Sequence, residues 1–366
     1  MSAPHIESLF NLDIHRRIEE VIKVDQTDDD VVRQEIEEYV ATDAICRHFS
    51  DVLELYDGTF TKPHEGVGVW VSGFFGSGKS SFAKMLGLAL ENRDVQGERA
   101  AVRVGRRFTG RCGERVRVLL SQITERTPTE AVVFDVSTDR GIKSGNQTLT
   151  EIAYKQLLKS LGYATDLDLA ELEIALEGEG RLEEFEATYA RLYDKDWDQA
   201  KSIGAFAIQP ASRTMHEMDP ATYATADSWR EAAVHRADIT PGLLAERTEL
   251  LVDRRQPGHN LAFVVDEVGQ FVARDVQKML DVQALVQALG RVGRGRFWLV
   301  VTSQERLSEV VGGLDGTKVE LARLMDRFPS QVHLEPSDIA EVTSKRVLSK
   351  NAGAQDALRS LYHEHH

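Results

Sequence analysis

The residues Gly73-Phe-Phe-Gly-Ser-Gly-Lys79-Ser80 fill every fixed position of the pattern GxxxxGK[ST]. Glycines at these places let the backbone curl so that successive N–H groups turn inward, toward phosphate oxygens. A helix starting near Lys79 adds the positive end of its dipole. In such loops the lysine reaches the β- and γ-phosphates and the hydroxyl after it ligates magnesium. The spacing therefore predicts a nucleotide cradle made of Gly73, Phe74, Phe75, Gly76, Ser77, Gly78, Lys79, Ser80 and Ser81, with Ser80 as one Mg²⁺ ligand. A structural turn is the bland alternative, but the context is right: Val67 to Ser72 reads as a short strand and Ser80 to Leu90 as a helix.

A phosphate-bound metal also needs a carboxylate at the end of a neighbouring buried strand. The run Leu261 to Val265 leads into Asp266 and Glu267. Asp266 is expected to hold Mg²⁺ through its water shell, and Glu267 to polarise the attacking water as general base. The pair favours a hydrolase over a kinase, which must exclude water. Asp135 competes for the metal role but lacks a following glutamate. The strand Phe297 to Val301 ends in Thr302, Ser303 and Gln304. Thr302 is the first candidate to touch the γ-phosphate and the lytic water, and helix capping by Ser303 is the alternative. Arg327 is a candidate finger supplied in trans, with Arg323 as fallback and a surface salt bridge to Asp326 or Glu335 as the bland reading.

The elements that position these groups belong to a chain of 366 residues, long enough for two or three domains. Hydrophobic residues make up 42% and charged ones 28%, ordinary globular usage. Acidic residues outnumber basic ones by 59 to 44, a net charge of −15 that disfavours a surface coated with nucleic-acid contacts. A local basic face remains: arginines 99, 103, 106, 107, 111, 115 and 117 crowd around Phe108. It reads as a contact for double-stranded DNA or as an exposed helix paired with Glu98 and Glu114. Cys46 and Cys112 form no CxxC pair, so neither a disulfide framework nor a zinc site is readable and a reducing compartment is expected. No secretory signal is visible, and the longest apolar stretch, around Val67 to Phe75, falls short of the roughly 20 residues a membrane helix needs. These features predict a cytoplasmic protein without membrane contact.

Further apolar runs at Ala131 to Val136, Leu261 to Val265, Phe297 to Val301 and Gln331 to Leu334 read as strands buried on both faces. With helical patterns between them they predict an α/β fold, a parallel sheet flanked by helices with its ligand at the carboxyl ends of the strands. The expected divisions are a helical lead-in at 1–60, a first core part at 61–150, a mostly helical insertion at 151–258, a second core part at 259–336 and the start of a helical lid at 337–366. Asp57 to Gly66 reads as a loop. Asp166 to Glu186 carries nine acids and one arginine and reads as a solvated helix pair, with a nucleic-acid mimic or docking face as the sharper alternative. The terminal Tyr362-His-Glu-His-His366 reads as an incidental helix end rather than a metal site.

With these parts in place the chain resembles ASCE-type P-loop ATPases near the AAA+ group. It is most similar to the P-loop protein of bacterial BREX and phage-growth-limitation (Pgl) defence systems. The resemblance is carried by Leu9-Phe-Asn-Leu-Asp-Ile14, Ile22-Lys-Val-Asp-Gln26, Glu38-Tyr-Val-Ala-Thr42, Val69-Trp-Val-Ser-Gly-Phe-Phe-Gly-Ser-Gly-Lys-Ser80, Val264-Val-Asp-Glu-Val-Gly269 and Leu324-Met-Asp-Arg-Phe328. It implies an ATPase with ATP and Mg²⁺, acting as motor or switch subunit of an antiphage defence complex. Its partners would be other defence-system proteins, further copies of itself, and double-stranded DNA. Family members often carry His where this chain has Ser81, and they are much longer, so an N-terminal fragment is expected. The competing functions are an ATP-dependent scaffold with negligible turnover and a P-loop kinase.

Overall fold

A computed structural model describes residues 6–10, 24–137, 147–233, 239–272, 275–312, 326–335, 341–342, 344–346 and 348–365. The chain divides into two compact units, Met1–Asp139 with Gly258–His366, and Arg140–Pro257. Arg323 and the residues before Asp326 lie outside the described residues, as do Asn11 to Ile14, Ile22 and His366.

The first unit is mixed α/β. Its sheet strands are β1 (Gly68–Gly73), β4 (Thr129–Asp135), β5 (Asn260–Asp266), β6 (Phe297–Ser303) and β7 (Ser330–Leu334). They are all parallel, in the order β4-β5-β6-β1-β7. Every residue of the central strands β1, β5 and β6 is buried, whereas β4 and β7 are partly exposed, which corrects the expectation that their runs are buried on both faces: both are edge strands. Helices cover both faces of an inner parallel strand, which is why those segments are runs of Val, Phe, Leu and Trp rather than alternating patterns. Buried indoles keep a partner: Trp70 Nε1 donates to the Glu305 carbonyl at 3.2 Å, and Trp298 Nε1 to the Gly295 carbonyl at 2.8 Å.

Among the described residues the helical lead-in contains α1 (Asp29–Glu38) and α2 (Asp43–Thr61). The apolar periodicity runs straight through the break, but Tyr39 turns extended and Thr42 restarts the helix by accepting the Ile45 N–H at 3.1 Å. The α2 helix continues through Gly58 to Thr61, so the first half of the expected loop at 57–66 is helical; buried Thr59 and Tyr56 hold that last part against the core. Next come α3 (Lys79–Glu91), a two-residue hairpin of β2 (Asp94–Val95) and β3 (Glu98–Arg99), α4 (Ala100–Gly105) and α5 (Gly110–Arg126). Phe49 of α2 joins these helices, with ring centroids 5.5 Å from Phe82 and 4.7 Å from Phe108.

Cys46 of α2 and Cys112 of α5 form a disulfide, with Cα atoms 6.2 Å apart. The sequence shows no readable disulfide framework, and the bond removes the cysteine-based argument for a reducing compartment. A lone pair of cysteines 66 positions apart carries no spacing signal, and only the packing of α2 on α5 brings them together.

The second unit contains α6 (Leu149–Ser160), α7 (Leu167–Gly178), α8 (Leu182–Tyr193), α9 (Trp197–Lys201), α10 (Ile208–Met218), α11 (Ser228–Ala232) and α12 (Pro241–Arg255). Its described residues hold no strand. The acids of α7 are not a solvated face. Glu171 accepts Tyr154 and Arg247, Glu173 accepts Trp197, Lys201 and the Ala164 N–H, and Glu177 pairs with Arg254 and Arg255. Their cations come from α9 and α12, too far along the chain for a local charge run to betray them.

The sheet is followed by α13 (Val268–Val272) and α14 (Val276–Gly293) between β5 and β6, then α15 (Leu307–Gly312), and α16 (Ala352–His365) near the carboxyl terminus.

Candidate nucleotide site

The loop after β1 adopts backbone conformations only glycine accepts cheaply. Gly78 has φ +89°, and at Gly73 a Cβ would stand 2.5 Å from Ser77 Oγ and 2.7 Å from the Leu334 carbonyl. Lys79 opens α3 with 6% of its surface exposed, and Nζ donates to the Phe74 carbonyl at 3.1 Å. Burial pulls its ammonium down, against the opposing pull of Glu267 and Asp266. No side chain caps α3, so the amide groups of its first turn are open to an anion. Ser80 and Ser81 are half-buried in that turn, and Phe74 and Phe75 stand exposed on the loop crest.

The β6 strand lies between the loop-bearing β1 and the acid-bearing β5, with Val71 opposite Thr302 and Val265 opposite Val301. That order brings Thr302 beside both acids. Its hydroxyl donates to the carboxylate of Asp266 and accepts the backbone N–H of Glu267 at 3.0 Å. Thr302 is fully buried, and these two bonds commit its proton and one of its lone pairs. It bridges the two acids through its hydroxyl. Ser303 is likewise turned inward, accepting the Glu305 N–H at 3.1 Å, while Gln304 is exposed.

Glu267 sits at φ +61°, a left-handed conformation costly for a side-chain residue and concentrated at functional sites. Burial, with Asp266 and Asp135, pushes its carboxyl up; Lys79 opposes them. Its Oε2 is buried without a hydrogen-bond partner among the described residues, and so is Ser77 Oγ. Two orphaned buried oxygens in one small region are costly unless a ligand satisfies them, so the residues present fit a bound nucleotide and its metal. Asp135 is paired in register with Asp266, but its Oδ1 accepts Ser137 N and Oγ, both at 2.7 Å, closing a turn. Its influence on Glu267 is a feature that reading the sequence missed, because strand register alone creates it.

Arg327 is not among these groups. It pairs with Glu65 at 3.4 Å, and its carbonyl lies 2.5 Å from where a Gly68 Cβ would stand. Gly68 and Gly73 are opposite ends of β1, about 16 Å apart at strand rise. The bridge runs to Glu65 rather than to Asp326 or Glu335. Most of the arginine stretch is also committed internally: Arg99, Arg103, Arg107 and Arg117 donate to backbone carbonyls, Arg106 pairs with Glu98 and Arg115 with Glu54. Arg111 is exposed. Among the described residues no group of three or more His, Cys, Asp or Glu gathers to hold a metal, which includes the described part of the terminal histidine cluster.

Compared with known proteins, the chain matches no family model and no solved structure. The fold and the site therefore rest on the geometry above.

Proposed function

We propose that this chain is a P-loop ATPase, binding ATP with Mg²⁺ and transferring the γ-phosphoryl group to water, as motor or switch subunit of a BREX/Pgl-like antiphage complex. The chemistry is supported chiefly by one observation: Thr302 on the interposed strand joins Asp266 to the Glu267 amide, and Glu267 Oε2 is buried without a hydrogen-bond partner in the electrostatic field of Lys79. The defence assignment is supported by the residue resemblance alone. Among the described residues no helix is long and apolar enough to cross a membrane.

In this reading the loop amides and the first turn of α3 bind the phosphates and Lys79 neutralises their charge. Ser80 and Asp266 would hold Mg²⁺, which supplies further neutralisation of the phosphates when bound. Glu267 orients a water and takes its proton, a role suited by a carboxyl raised toward working pH. The Glu267→Gln variant keeps shape but cannot accept the proton. It should bind Mg-ATP with unchanged affinity by calorimetry and lose at least about 10²-fold in turnover. Turnover at the wild-type rate would remove Glu267 from the mechanism.

A second reading, an ATP-state switch with little turnover of its own, is favoured by the place of Arg327, ion-paired at the far end of β1. Arg327 lies beside Gly68, at the end of β1 opposite the phosphate loop, so in this reading a charge from another copy or a partner would be required for fast hydrolysis. Turnover of the isolated chain, measured with and without double-stranded DNA, separates the two.

A further inference from the structure

We propose that Cys112 is a site of reversible thiol–disulfide exchange, at which a low-molecular-weight thiol such as glutathione opens and recloses the bond to Cys46. Three observations place the chemistry there. First, the two sulfurs are bonded across α2 and α5, so a partner thiol is already in reach. Second, Cys46 is only 4% exposed whereas Cys112 is partly exposed, so an external thiolate meets the Cys112 sulfur first. Third, Cys112 is the third residue of α5, whose N-cap Thr109 makes no side-chain cap. The Gly113 N–H is the first to bond within the helix, to the Thr109 carbonyl. The amide groups before it are donors without an intrahelical acceptor, and the exposed Arg111 adds a positive charge to the same helix turn. A thiolate at a helix N-terminus beside arginine is stabilised. The other charges of this neighbourhood are Glu114 and Arg115 on α5, with Arg115 paired to Glu54 of α2, and Arg47 and His48 following Cys46.

The exchange balances in two steps. A thiolate RS⁻ bonds to Cys112 Sγ, the Cys46–Cys112 bond breaks, and the electron pair leaves on Cys46 Sγ, which takes a proton from water. A second RS⁻ then bonds to the sulfur of the attached R group, and Cys112 departs as the stabilised thiolate. Two thiols are oxidised to RSSR as the protein disulfide is reduced by two electrons, and oxidised glutathione drives the reverse. The loop this bond closes contains β1, the phosphate loop and α3, so its redox state changes the stability of the fold that carries the nucleotide-binding segment.

The test uses the full chain equilibrated in oxidised or reduced glutathione, then denatured and alkylated with N-ethylmaleimide for mass analysis. The oxidised sample should take up no label and the reduced sample two, with Tm lower by roughly 10 °C after reduction. Two labelled thiols after oxidation, or equal Tm values, would overturn the proposal. The Cys46→Ser variant, its fold checked by circular dichroism, isolates Cys112. Its alkylation by iodoacetamide at pH 7 should be several-fold faster in the native state than in urea, and Arg111→Ala should slow it. A native rate at or below the urea rate would refute the stabilised thiolate.

Discussion

Lys84 of α3 and Glu35 of α1 form an ion pair at 2.6 Å, with 2% and 8% of their side-chain surfaces exposed. It ties the lead-in to the helix that begins at Lys79. Burial pulls the Lys84 ammonium down and Glu35 holds it up. Removing one charge leaves the other in low dielectric, so Lys84→Met should cost about 3–5 kcal/mol in urea unfolding. The double variant Lys84→Met/Glu35→Leu should recover most of that loss. A single variant as stable as the wild type would mean the pair is solvated.

Glu91, at the carboxyl end of α3, provides a pH dependence. Burial, with Glu130 nearby, pushes its carboxyl up to about 7 against the opposing pull of Arg93. The folded state thus binds this proton more tightly than the unfolded chain, whose value is 4.5. Stability from this group is present below the unfolded value and is lost as pH rises from there to about 7. Glu91→Gln should therefore stabilise more at pH 8 than at pH 5, by about 2 kcal/mol. Equal gains at both pH values, read from denaturant midpoints, would contradict the raised carboxyl.

Thr302→Val keeps volume and deletes the hydroxyl that joins Asp266 to the Glu267 amide. It should lower hydrolysis by about 10–100-fold with ATP affinity nearly unchanged, and cost about 1–3 kcal/mol of stability. A variant that instead loses ATP affinity with full turnover at saturation would assign Thr302 to ligand binding rather than to orienting the acids.

The arginine stretch divides into residues that hold the fold and residues available to a polyanion. Arg107 donates to the Tyr39 carbonyl at 2.9 Å from a half-buried position, so Arg107→Ala should lower Tm without altering any salt dependence of duplex binding. Arg106→Ala with Arg111→Ala should leave Tm nearly intact. If duplex DNA binds this face, the pair flattens the slope of log affinity against log salt by about 0.9 per lost phosphate contact. An unchanged slope would restrict these arginines to their salt bridges and solvent.

What the sequence determined by itself is what contiguous residues decide. Gly73 to Ser80 specifies its own turn because the glycines sit where the backbone needs left-handed or crowded conformations. The three inner strands are legible as short apolar runs because both of their faces must be buried. Asp266 and Glu267 could be named as a pair because they are neighbours. Only the tertiary structure decided that Thr302 orients them, that Asp135 adds to the field on Glu267, that Arg327 pairs with Glu65, that Cys46 meets Cys112, and that the α7 acids face cations rather than water. Each of these joins residues tens to hundreds of positions apart. Backbone propensity and hydrophobic period act over a few residues, whereas such pairings follow from strand order and helix packing, which many sequences with the same local pattern could arrange differently.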